Sequence, residues 1–130
     1  MEQTNPEEAI LAQAKIDFDY WANGDTLGYG KSASDDVTVF NNSPATARID
    51  GKQAFNNLLS SWKGLIPPHK YKIIDPLIQV YDNVGIYTLQ YHALSDDGQV
   101  LVRARATVVY RHIDNSWKMV HTHMSNLEEA

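Results

Sequence analysis

The sequence predicts an α+β domain in which three N-terminal helices pack on one face of a curved antiparallel sheet. Three observations predict it. Apolar residues at helical spacing are confined to the first half of the chain, long β-rich runs joined by compact turns fill the second half, and the two kinds of segment do not alternate.

The first helix starts at Asn5-Pro6-Glu7-Glu8, where a capping side chain precedes a proline and two acids suited to the positive end of the helix dipole. Ile10, Ala14, Phe18 and Trp21, with Leu11 beside them, form one helical face, and Asn23-Gly24 stops it. Asp25 caps a short second helix expected from Thr26 to about Ala33, weakened by Gly28 and Gly30. A short β-branched strand, Val37–Phe40, separates it from a third helix over about Gly51–Lys63. There Ala54, Leu58, Leu59 and Trp62 share a side, and Gly64 and Pro67-Pro68 end the helix. Strands are expected at His69–Asp75, Leu77–Tyr81, Val84–Leu94, Gln99–His112 and Ser116–Ser125, rich in Val, Ile, Tyr and Thr. Asp82-Asn83, Ser95–Gly98 and Asp114-Asn115 turn the chain back on itself, giving an antiparallel meander, and Pro76 predicts a bulge or bend.

Composition narrows the class. A chain of 130 residues fits a single domain over 1–130, and 43% hydrophobic with 21% charged residues supplies a core. Eleven Lys and Arg against 16 Asp and Glu leave a net charge of −5, which argues against nucleic acid as a partner. Cysteine is absent, so disulfides, thiolate chemistry and Cys-based zinc sites are excluded. The apolar runs are far too short to span a membrane, and the polar start Met1–Asn5 lacks signal-peptide order, so a cytoplasmic location is expected.

Strand Val84–Leu94 is apolar on both sides: Val84, Ile86 and Leu94 alternate with Tyr87, Leu89, Tyr91 and Ala93. One side can pack on the helices. The other needs a cover, and a second copy of the chain, in a homodimer through the sheet face, is the economical one.

Four fragments then occur in a telling order: Asn23-Gly24-Asp25, Asp35–Phe40, Gly51-Lys52-Gln53-Ala54 and Trp117–Ser125. Together they resemble the nuclear transport factor 2-like superfamily, including its SnoaL-like and ketosteroid isomerase-like members. The closing Trp-Lys…Val-His-x-His pattern is similar to the association domain of calcium/calmodulin-dependent kinase II. The resemblance covers nearly the whole chain and implies a cone-like α+β barrel, a pocket between helices and sheet, and a dimer through the outer sheet face. It leaves function open, because the superfamily holds enzymes and association modules alike.

Aligned to the ketosteroid isomerase pattern, Asn41 stands where the catalytic Asp base would be, and Asp17 where the first-helix Tyr donor would be. An amide is no base near neutral pH, so steroid isomerisation is not expected; a raised pKa would let Asp17 act as a neutral donor. His121 and His123, two apart on a strand, are expected to share one face of the last strand with Trp117 and Met119. On the concave side they would be acid, base or hydrogen-bond donors; the alternative is that one or both pack in the core with a satisfied backbone partner. A metal would need His121, His123 and a third ligand such as His92, and no spacing supplies that set, so neither metal nor cofactor is expected. Arg103 and Arg105 share a strand face whose direction a bulge could switch; in a pocket, Arg105 would hold an anion.

The expectation is therefore a small-molecule-binding protein with an enclosed pocket. If it turns substrate over, it does so by cofactor-free acid/base chemistry of isomerase, cyclase or dehydratase type. The catalytic candidates are His121, His123 and Asp17, and the ligand-binding candidates are Trp21, Asn41, Trp62, His92, Arg105 and Trp117. The alternative is a non-enzymatic dimerisation or association module.

Overall fold

The computed structural model describes residues 5–40 and 47–127; Asn41 lies outside them. Helix α1 (Pro6–Ala22) is capped as its sequence demands, with Asn5 Oδ1 accepting from the backbone N–H groups of Glu7 and Glu8 at 2.9 and 3.3 Å. Its buried face is Ile10, Ala14, Asp17, Phe18 and Ala22, while Leu11 points outward. Gly24 takes the left-handed conformation, φ 81°, that the turn into the next helix requires.

Helix α2 is one turn, Thr26–Tyr29, shorter than expected because Gly30 caps it and the chain enters a strand at once. That strand, β1 (Ala33–Phe40), begins four residues earlier than its β-branched run. A two-residue strand, β2 (Ile49–Asp50), pairs antiparallel with it, and α3 (Lys52–Ser61) follows from Gly51. The remaining strands are β3 (Lys70–Tyr81), β4 (Val84–Leu94), β5 (Val100–Ile113) and β6 (Ser116–Asn126).

The six strands form one curved, open sheet in the order β2-β1-β6-β5-β4-β3. β3 to β6 are the expected antiparallel meander, but β1 joins β6 in parallel, a pairing between strands far apart in sequence. The two runs flanking Pro76 are one strand: its register shifts between Ile74 and Leu77, and Asp75 takes φ 51° to absorb the bulge.

The helices cover one face of the sheet. Gly85, Tyr87, Leu89, Tyr91 and Ala93 of β4 point at them and are buried, while the alternate residues face away. α1 sits so close to β4 that a Cβ on Gly85 would collide with Ile10 Cδ1. An aromatic group bridges the layers: Phe18 lies 5.4 Å from Tyr91, which stacks on Tyr71 at 5.0 Å and 11°.

A second bulge decides the orientation of the last strand. Val109 pairs with His121 and Tyr110 with Met119, so Val120 is the extra residue on β6. Met119 is fully buried toward the helices, and after the bulge the inward position falls to Thr122. The common face expected for Trp117, Met119, His121 and His123 is thus split in two. Trp117 and Met119 are on the inner side, and His121 and His123 are on the outer side.

Candidate functional site

Between the helices and the inner face of the sheet lies a cavity of about 640 Å³, in the size range of pockets for small organic molecules. Its walls follow from the packing just described. Trp21 from α1 and Trp62 from the end of α3 meet edge to face at 6.0 Å and line one side. Small residues keep the opposite wall open, because Ala93 and Ala104 stand where larger side chains would fill the space. The mouth is apolar too, formed by Pro67 and Pro68 facing Leu101 and Val102, which are 59% and 45% exposed. Among the described residues no Asp, Glu, Lys or Arg lines this cavity.

Its polar groups are few. His69 and Tyr91 form a pair at the wall, with His69 Nε2 2.7 Å from the Tyr91 hydroxyl and Nδ1 2.9 Å from the Pro67 carbonyl. A carbonyl only accepts, so the neutral imidazole carries its proton on Nδ1 and takes the Tyr91 O–H on Nε2, leaving phenol lone pairs toward the cavity. Burial pushes the Tyr91 phenol well above its ordinary value. Tyr29, buried at the inner end, is pushed up to about 12, mainly by burial, with Thr122 pulling in the opposite direction. Neither phenol ionises near neutral pH. Thr122 also lines this wall, but its Oγ1 is buried away from the open cavity, beside the Tyr29 phenol on which it acts.

The other expected site residues lie elsewhere. Asp17 is fully buried under α1, where Oδ1 accepts from Gln13 at 3.1 Å and Oδ2 from Ser32 at 2.8 Å and Tyr110 at 2.9 Å. Burial outweighs those three bonds and raises its pKa to about 6. All its partners are protein groups, and it does not line the cavity.

His121 and His123 flank Phe40 on the outer face, with ring centroids 5.6 Å away in both cases, and His121 Nδ1 is 2.8 Å from Thr38 Oγ1. Burial holds the His121 pKa below the ordinary value; the positive fields of His123 and Arg48 add to this, while a bond to Thr38 opposes it. Arg105 is also on the outer face, donating from Nε to Ser125 Oγ at 3.0 Å, so it is not the anion anchor of the pocket. His92 shares that face and bonds Gln90 at 3.1 Å. β5 separates it from the His121 strand. Trp117 packs on the core's inner side beside His112 at 5.1 Å, away from the cavity. Among the described residues no three His, Asp or Glu side chains converge in a metal-ligand cluster.

Sequence reasoning passed over His69, Tyr91 and Thr122. The Pro67-Pro68-His69 run was the available signal for the first, since two prolines fix the chain direction just ahead of the imidazole. Thr122 sits inside the His-x-His motif itself and was hidden by the bulge.

Comparison with known proteins places this geometry in a family. The model of the SnoaL-like domain matches residues 17–128. No curated protein matches the chain by sequence. Among solved structures, a proposed ketosteroid isomerase from Parabacteroides distasonis superposes with a TM-score of 0.82 at 24% identity, covering 96% of this chain and 90% of that one. The CaMKII hub of S. rosetta gives 0.76 at 23% identity over 97% and 100%. A proposed dehydratase of the NTF2-like family from Streptomyces avermitilis gives 0.74 at 16% identity over 95% and 97%. At these identities the likeness shows the fold alone, and that fold carries both enzyme-type and association-type proteins.

Proposed function

The chain belongs to the SnoaL-like family, and on that premise we propose that it binds a small, uncharged, largely apolar organic molecule in the cavity between helices and sheet. The observation that carries this reading is the lining: about 640 Å³ walled by aromatic, aliphatic and proline side chains, with no charged residue among those described. An anionic ligand held by Arg105 does not fit, because that guanidinium is on the far side of the sheet. If the ligand is turned over, the proton-handling groups at the cavity wall are His69 and Tyr91, with the His69 imidazole as the base and the phenol as its relay. His121, His123 and Asp17 have no path to the cavity that does not cross the sheet or the core.

The test is a titration of uncharged bicyclic and tricyclic aromatic probes, read by quenching of Trp21 and Trp62, with carboxylate analogues alongside. Uncharged probes should bind and carboxylates should not. Ala93→Phe, which fills the cavity from its wall, should abolish binding while leaving the melting temperature within a few degrees. Equal binding by the filled variant would refute the reading.

The association reading also has an observation behind it. Leu77, Tyr81, Val84, Ile86 and Val109 form an apolar strip on the outer sheet face, with Leu77 56% and Tyr81 59% exposed. A homodimer through this strip is compatible with an occupied cavity, since the two surfaces are opposite faces of one sheet.

A further inference from the structure

The polar groups of the cavity are largely bonded to one another, and the direction of those bonds decides what they can offer a ligand. The Tyr29 phenol and the Thr122 hydroxyl are both buried and act on each other. Asn126 lines the cavity from an exposed position, with its amide open to water. His69 and Tyr91 remain. The imidazole is engaged at both nitrogens, Nδ1 at 2.9 Å from the Pro67 carbonyl and Nε2 at 2.7 Å from the Tyr91 hydroxyl. Turning the ring over would put carbon in both places, so the two bonds fix its orientation, and the carbonyl fixes the neutral tautomer with its proton on Nδ1. The single proton of Tyr91 therefore goes to Nε2. Among the described residues none donates to the Tyr91 oxygen in return.

We propose that the Tyr91 oxygen makes the cavity selective for ligands that carry an uncharged hydrogen-bond donor, an O–H or N–H, over ligands whose polar atom can only accept. This rests on the reading of the cavity as a ligand site. With its proton held by His69, the phenol accepts and does not donate. A ligand hydroxyl completes its bonding, whereas a ligand ketone sets lone pairs against lone pairs. The chain of bonds then runs one way, from ligand to Tyr91, from Tyr91 to His69 and from His69 to the Pro67 carbonyl, and each bond polarises the next. His69 is a positioning residue in this arrangement, and the backbone holds it in place. Its N–H donates to the Ala22 carbonyl at 2.8 Å, at the end of α1, and the rings of Pro67 and Pro68 restrict the chain ahead of it.

The experiment measures the affinities of three matched probes, 2-methylnaphthalene, 2-naphthol and 2-acetylnaphthalene, by calorimetry in mildly alkaline buffer, where imidazoles are neutral. The proteins are the wild type, His69→Gln, His69→Leu and the double variant His69→Leu, Tyr91→Phe. The wild type should bind 2-naphthol about fivefold more tightly than either other probe, the worth of one net hydrogen bond. His69→Gln, whose amide oxygen can take the Tyr91 proton, should keep that order. His69→Leu releases the proton toward the cavity, so 2-acetylnaphthalene should gain about fivefold over the hydrocarbon, a gain that a merely structural histidine would not produce on removal. The double variant should bind all three alike. A wild type that favours 2-acetylnaphthalene, or a His69→Leu protein that leaves it level with the hydrocarbon, overturns the donor selection. A preference surviving in the double variant also overturns it, by assigning the choice to another group such as Asn126. Equal binding of all three probes by the wild type overturns it and leaves the cavity reading standing. Binding of none of them, the hydrocarbon included, overturns both.

Discussion

Asp17 offers the sharpest test of the physical picture, because two opposed effects act on one side chain and their balance fixes a sign. Three donors, Gln13, Ser32 and Tyr110, favour the carboxylate, while near-complete burial disfavours it. Burial wins, raising the pKa from 3.8 to about 6. A rise of about two units corresponds to about 3 kcal/mol. Since the folded protein holds this proton more tightly than the unfolded chain, the contribution is complete below about pH 4. It is lost as the pH rises through about 6. Asp17→Asn removes the titration while keeping an acceptor for Ser32 and Tyr110, and the Gln13 amide can turn to present its oxygen. Unfolding free energies from urea titrations between pH 4 and 8 should therefore show the variant gaining on wild type as the pH rises. The gain should approach about 3 kcal/mol by pH 7.5. The difference between the two proteins isolates this group from Asp19 and Asp97, whose bonds hold their pKa values low and whose effect has the opposite sign. A variant that loses ground with rising pH would mean that the three bonds outweigh desolvation, and the reasoning would fail.

Two further outcomes follow from which face each side chain occupies. His121→Ala and His123→Ala should leave probe affinity in the cavity unchanged, and His121→Ala should cost about 1 kcal/mol through its lost bond to Thr38, read by paired binding and unfolding titrations. A tenfold fall in affinity would bring the histidines back to the site. Sedimentation at micromolar concentration should show a dimer burying on the order of 2,000 Å². Ile86→Arg should give a folded monomer, and a monomeric wild type would remove the association reading.

Much of the fold was legible because local chemistry specifies it. The Asn5-Pro6 start, the Gly24 stop, the turn at Asp82-Asn83 and the strict alternation in β4 each report on their own neighbourhood. Pairings between distant segments were less legible. Nothing within Ala33–Asp36 announces a strand, since those residues are extended by their parallel partner β6 rather than by their own propensity. Trp21 and Trp62, each at the end of a helix on a readable apolar face, line the cavity. Arg105 could not be, because direction on a long strand is set by neighbours.

The His-x-His motif shows how little of a site can depend on the motif itself. Alternation keeps His121 and His123 on one face, and that inference was sound; what it cannot give is which face. One inserted residue, Val120, decides it by carrying Met119 and Thr122 inward and both imidazoles outward. The consequence is electrostatic as well as geometric. His92, Arg105, His121 and His123, all expected to handle charge in a pocket, gather on the outer face, and the polar residues left at the cavity wall are Tyr29, Tyr91, His69, Thr122 and Asn126. A bulge in a strand thus separates two chemistries in one sheet. A change of salt should act first on the outer surface and its partners, and the cavity should answer to the size and polarity of what enters it.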